Sequence, residues 1–149
     1  MTWHIRDFRS DDVSFVFDTW LRSYGQNRPN PWQRLDFHRF MKGHRAIIDS
    51  LLARPSTRLR VACANDAEHV ILGWACSEPG VLHYMYVKRK FRQKGVASAM
   101  VEDAGAPALY SHAPTSPQGP HTTVQMLRAW GMKESPGHLF YPPLKEEAE

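Results

Sequence analysis

The chain has 149 residues, 42% hydrophobic and 23% charged, with a formal net charge of +4. That length fits one domain able to bury about two-thirds of its unfolded chain's surface. No apolar run nears the roughly 20 residues of a membrane span, and so modest a positive charge suits an anionic ligand without implying nucleic acid.

Trp3 to Phe8 alternates as a first strand, and with no apolar signal core there a cytoplasmic protein is expected. Ser10-Asp11-Asp12 reads as a helix start, a capping serine with acidic residues in the first turn. Val13, Val16, Phe17, Trp20, Leu21 and Tyr24 then form one apolar stripe at helical spacing, ended by Gly25. Gln26 to Pro31 reads as a loop. A second helix is expected over Leu35 to Ala53, with His44 a partly buried histidine on its apolar face, and Arg54-Pro55 stops it.

Leu59, Val61 and Cys63 alternate in a second strand, Asn65 to Ala67 turns, and Val70 to Cys76 is a third strand. Glu78-Pro79-Gly80 leads into Val81 to Val87, seven residues without Lys, Arg, Asp or Glu and rich in β-branched and aromatic side chains. Such a run predicts a strand buried on both faces, and the three strands together predict an antiparallel meander. Cys63 and Cys76 lie within these runs and not in a C-x-x-C arrangement, so both are expected as buried, reduced thiols. The eight histidines are scattered without ligand spacing, and no metal site is expected.

After Val87 the chain turns through Lys88 to Lys94, in which five of seven residues are cationic, and reaches Gly95. From there Val96, Ala97, Ala99, Met100, Val101 and Ala104 suit a helix packed on a sheet. The first amides of such a helix point unpaired into the turn with the positive end of its dipole behind them, which makes a phosphate cradle. Neither a Walker loop nor a G-x-G-x-x-G fingerprint is present. Beyond Gly105-Ala-Pro107, Ala108 to His112 reads as a short strand, Pro114 to Pro120 as a loop and Thr122 to Trp130 as a helix. Leu139 to Tyr141 reads as a last strand. Residues 1–144 are expected as a single domain, with 145–149 a flexible acidic tail.

The run Arg92-Gln93-Lys94-Gly95-Val96-Ala97 resembles the acetyl-CoA signature R/Q-x-x-G-x-G/A of the GNAT (GCN5-related N-acetyltransferase) acyltransferases. Its distance from Tyr86-Val87 and the order β-α-α-β-β-β-α-β-α-β also match that family. The resemblance implies an α/β (α+β) fold: a mixed, mostly antiparallel central sheet of six to seven strands, flanked by about four helices. It implies that Met85, Tyr86 and Val87 pair with pantetheine through the main chain. Gln93, Lys94, Gly95, Val96, Ala97 and Ser98 would offer amides to the pyrophosphate, with Arg92 and Lys94 adding charge. Acetyl-CoA would be the acyl donor and a primary amine, on a small molecule or protein, would attack the thioester directly. No metal takes part, no membrane or nucleic acid is a partner, and a homodimer stays open.

His83 is the titratable group with a pKa near 7 on the central strand, and by pleat counting it shares a face with Met85 and Val87. Around Leu82-His83 and Phe91 to Gly95 the chain is similar to arylalkylamine N-acetyltransferases, which implies His83 as the base. Glu78 is a second candidate, acting through water, against the plainer reading of a solvated turn carboxylate. The family's frequent helix tyrosine falls on Leu127 here. That leaves Tyr84, Tyr86, Tyr110, Tyr141 or His112 to protonate the thiolate. The acceptor pocket would lie over Tyr24 to Leu35, which includes Arg28, Trp32 and Arg34, and over Pro114 to His121. Two other functions fit the same residues: a degenerate acyl-CoA-binding module serving as scaffold or sensor, and a nucleic-acid-binding protein using Lys88 to Arg92.

Overall fold

The computed structural model describes residues 2–26, 37–110 and 129–134. Its elements are β1 (Trp3–Asp7), α1 (Val13–Gln26), α2 (Phe37–Leu52), β2 (Arg58–Ala64), β3 (Ala67–Glu78), β4 (Val81–Val87), α3 (Val96–Asp103), β5 (Leu109–Tyr110) and β6 (Lys133–Glu134). They form one six-stranded sheet in sequence order, antiparallel from β1 to β4 and parallel from β4 through β6. The expected meander is present, with β1 added at its edge. β6, just after Gly131, had no signal in the alternation pattern. Of the expected fourth helix over Thr122 to Trp130, all but Ala129 and Trp130 lies outside the described residues, as do the strand Leu139 to Tyr141 and the 145–149 tail.

The start of α1 corrects the expected serine cap. Ser10–Asp12 is a single 3-10 turn, and the residue that secures it is Asp12. Its carboxylate accepts the Arg9 amide (2.8 Å) and both terminal guanidinium nitrogens of Arg6 (2.8 and 3.0 Å). Burial pushes the Asp12 carboxyl up, but the Arg6 and Arg9 bonds outweigh it and leave it below its ordinary value.

Two layers of helix cover the sheet because successive strand side chains alternate faces. Trp74 and Tyr84 meet Trp20 of α1, with ring centroids 5.1 and 5.3 Å away, so their rows face α1. Arg60, Ala75 and Met85 form the neighbouring row in register, and Arg60 donates to Asp103 at the end of α3 (3.0 Å). That row therefore faces α3. Trp20, Trp74, Ile48 and Leu51 are fully buried between α1, α2 and the sheet, as the apolar stripes require. Gly73 lies opposite Val87, and a Cβ on it would stand 2.5 Å from the Tyr86 carbonyl oxygen, so β3 and β4 can pack this closely only with glycine there.

Candidate active site

The pairing of β4 with its two neighbours creates the site. On the β3 side, Cys76 is opposite Tyr84 while Ser77 is opposite Leu82, which leaves His83 as the extra residue of a β-bulge. On the β5 side, the described residues pair β4 at Val81 and Leu82. Beyond the bulge, then, β4 has a partner on one edge alone among the described residues.

Which main-chain groups face the open edge follows from the ladder. The Lys88 amide donates to the Leu72 carbonyl (2.8 Å), which fixes that pair as hydrogen-bonded. In an antiparallel ladder such pairs alternate. Tyr86 and Tyr84 therefore spend their main-chain groups on β3, while Met85 and Val87 point theirs outward. Of the expected trio Met85, Tyr86 and Val87, the ladder turns the main-chain groups of Met85 and Val87 away from β3. The Val87 carbonyl accepts Arg92 Nε (2.9 Å), which ties the basic turn to the strand end.

The turn places its amides beside that edge. Gln93 and Gly95 both have positive φ, 63° and 84°. Alternation of left- and right-handed residues aims successive N–H groups into one concavity, and a side chain held at positive φ marks strain kept at such a site. The first amide of α3 to reach a helical acceptor is that of Ala99, on the Gly95 carbonyl (3.1 Å). Those of Val96, Ala97 and Ser98 point into the turn. The cations divide: Lys88 Nζ turns back over the Phe15 ring (4.9 Å) and Lys90 lies over Phe91 (5.1 Å). Arg89, Arg92 and Lys94 are exposed and in no ion pair among the described residues.

At the other end of β4 the structure brings together His83 and Glu78. Glu78 is the last residue of β3, its side chain only 10% exposed, which corrects the picture of a solvated turn carboxylate. It accepts Arg54 Nη1 (3.0 Å) and Ser56 Oγ (2.5 Å), and lies 2.5 Å from His83 Nε2. Burial raises its pKa, but the bonds from Ser56, His83 and Arg54 reverse this and hold it below the ordinary value. Burial pushes the His83 pKa down from 6.5, with Glu78 opposing and Arg54 adding, so the imidazole is neutral at pH 7. Pleat counting put His83 on the face of Met85 and Val87. The bulge overturns this, because the extra residue shifts the alternation and turns His83 toward Glu78 and the end of α2. A cavity of about 270 Å3, lined by Ser56, Glu78, Gly80, Val81 and Leu109, opens beside the carboxylate at the paired start of β4 and β5. A larger groove along α1, about 510 Å3 and lined partly by Phe15 and Arg45, includes neither member of this pair.

Tyr84 is 1% exposed and stacked on Trp20 in the core, a position for packing and not for meeting a leaving group. Tyr86 rests edge-on against Phe15. Tyr110 is buried, its hydroxyl without a partner among the described residues. His112, Tyr141, Leu127, Arg28, Trp32 and Arg34 lie outside the described residues. Sequence reasoning missed Arg54, read only as the end of a helix, and passed over Ser56; the signal lay in two polar residues flanking Pro55 opposite a strand-terminal glutamate.

The same architecture occurs in known structures. A Pyrococcus furiosus protein assigned as an acetyl transferase superposes with a TM-score of 0.63 at 15% identity, over 91% of this chain and 95% of that one. AAC(6')-Iy, solved in complex with the bisubstrate analog CoA-S-monomethyl-acetylneamine, has a TM-score of 0.50 at 18% identity, over 96% and 99%. YjaB from Escherichia coli, in its apo form, has a TM-score of 0.50 at 20% identity, over 71% and 66%. No protein-family model and no curated protein matches the chain. The fold is that of the GNAT acetyltransferases.

Proposed function

We propose that the chain is an acetyl-CoA-dependent N-acetyltransferase that moves an acetyl group directly from the thioester to a primary amine. One observation carries the reading: among the described residues β4 pairs with β5 only as far as Leu82, and beyond it Met85 and Val87 point their main-chain groups away from β3, toward the edge that leads to the amides opening α3. Pantetheine can add to that edge as an extra strand, with its diphosphate on the amides of Gln93 to Ser98. AAC(6')-Iy, of the same fold, is known with a CoA-containing ligand.

The acceptor ammonium must lose a proton before its nitrogen attacks the carbonyl carbon. The Glu78–His83 pair is the base. Glu78 is the member that lines the cavity, and it reaches the amine directly or through one water. His83 behind it shares the proton, and the paired carboxylate stabilises the imidazolium that forms. Collapse of the tetrahedral intermediate breaks the carbon–sulfur bond and releases CoA thiolate, which takes up a proton. Arg54 and Ser56 hold the carboxylate in place. A catalytically silent acyl-CoA-binding module is the second reading, favoured by the complete burial of His83.

Thiol release from acetyl-CoA across an amine panel separates the two. Turnover with at least one amine, reduced in Glu78→Gln, supports the enzyme. Saturable CoA binding without thiol release for any amine leaves the silent module.

A further inference from the structure

At the far edge of the sheet, remote from β4, three strands bring together a group of metal-ligating side chains that acetyl transfer does not use. His4 of β1 and Cys63 of β2 are direct cross-strand partners. Glu68 of β3 completes the group, and the three donor atoms all lie within 4.8 Å of one another. The β2–β3 register is irregular at Cys63, the kind of bulge that re-aims a side chain.

We propose that His4, Cys63 and Glu68 bind a zinc-class divalent cation. His4 Nε2 lies 3.6 Å from Cys63 Sγ and 3.9 Å from Glu68 Oε2. Zinc at about 2.3 Å from sulfur and about 2.0–2.1 Å from nitrogen or oxygen spaces tetrahedral donors about 3.3–3.6 Å apart. The His–Cys separation is already that of a ligated pair, and the carboxylate must draw closer to both and yield its guanidinium contacts. Sulfur, imidazole and carboxylate together suit zinc, whereas calcium and magnesium take oxygen ligands.

Orientation of the imidazole supports the same assignment. His4 Nδ1 donates to the side-chain oxygen of Asn65, which leaves the lone pair on Nε2, facing Cys63. A histidine whose second nitrogen is fixed in this way is a recurrent feature of zinc sites. Cys63 is buried, while the His4 and Glu68 side chains are 41% and 44% exposed, so an ion enters from solvent and meets the thiol at the bottom. Two guanidinium groups touch the same ligands. Arg6 is paired with Asp12 but its Nε also lies 3.6 Å from Glu68 Oε2, and Arg9 donates to that oxygen (2.8 Å), so an ion takes the carboxylate in competition with both. Binding displaces the thiol proton to water, so one proton is released per ion.

The test uses the full chain stripped of metal by chelation and titrated with Zn2+ by calorimetry and with Co2+ by absorbance. One equivalent of Zn2+ with a Kd at or below about 1 µM is expected, together with a near-ultraviolet thiolate-to-cobalt band. Cys63→Ser removes the band, Asn65→Ala weakens binding about 10–100-fold, and Cys76→Ala leaves both signals intact. Glu68→Gln, at an exposed position, weakens zinc binding and serves if Cys63→Ser does not fold. Only millimolar uptake, or uptake indifferent to Cys63 and Glu68, overturns the proposal. Neither result depends on acetyl transfer.

Discussion

Glu78 Oε2 and His83 Nε2 meet at 2.5 Å across the Pro79-Gly80 turn because the bulge at His83 rotates its side chain toward the end of β3. Without that extra residue the imidazole would alternate onto the α3 face and the carboxylate would lose its partner. Glu78→Gln keeps the shape and removes the charge. Thiol-release kinetics are expected to show kcat reduced about 10²–10⁴-fold, with the KM for acetyl-CoA within about twofold. His83→Gln should fall in the same range, and the double variant should be no worse than the poorer single one, since groups acting as a unit are not additive.

The same pair sets a pH dependence. Both groups titrate below their ordinary values of 4.5 and 6.5, Glu78 through its bonds and His83 through burial. The unfolded chain therefore binds more protons than the native one as pH falls past 6.5, and stability is lost on acidification. Thermal melts from pH 7.5 to 5 should show a smaller decline for His83→Gln than for the unaltered chain. The kcat/KM profile should be flat through neutrality and fall on the acid side below pH 6.5.

Gly95 sits at φ 84°, with nothing within 4 Å of where a Cβ would stand. Gly95→Ala thus meets no steric neighbour and costs the left-handed strain, about 1–2 kcal/mol, or about 2–8 °C in Tm. Its methyl would stand in the turn proposed to hold the diphosphate. Calorimetry is expected to show CoA affinity lowered about tenfold or more, well beyond what the Tm change explains.

Gly73→Ala acts through packing instead. Its Cβ would lie 2.5 Å from the Tyr86 oxygen and 3.1 Å from the Val87 Cα, both main-chain atoms. The strands must part, at about 1–3 kcal/mol, seen as a Tm lowered by about 2–12 °C in differential scanning calorimetry. Because β4 is the strand displaced, CoA affinity should fall as well.

The meander, α1, α2 and the basic turn before α3 were legible in the sequence, since each rests on a local period or a local motif. β4 from Val81 to Val87 was bounded to the residue by its uncharged run. The bulge at His83 was not legible, because register depends on a partner strand, and the face assigned to His83 failed with it. Glu78 looked exposed beside Pro79-Gly80, yet Arg54 and Ser56 approach it from 24 and 22 residues away. Asp12 displaced Ser10 as the cap because Arg6 of β1 reaches over the turn. His4, Cys63 and Glu68 carry no ligand spacing, for they belong to three strands and meet only in the sheet.

The central claim concerns which amides receive the ligand, and it is read most directly by titrating the isotopically labelled chain with CoA and following its backbone amide resonances. Met85, Val87 and Gln93 to Ser98 should shift in a saturable, one-to-one manner, while Tyr84 and Tyr86, whose amides are spent on β3, should move little. No shift in that group, or shifts centred on the α1 groove at Phe15 and Arg45, would contradict it.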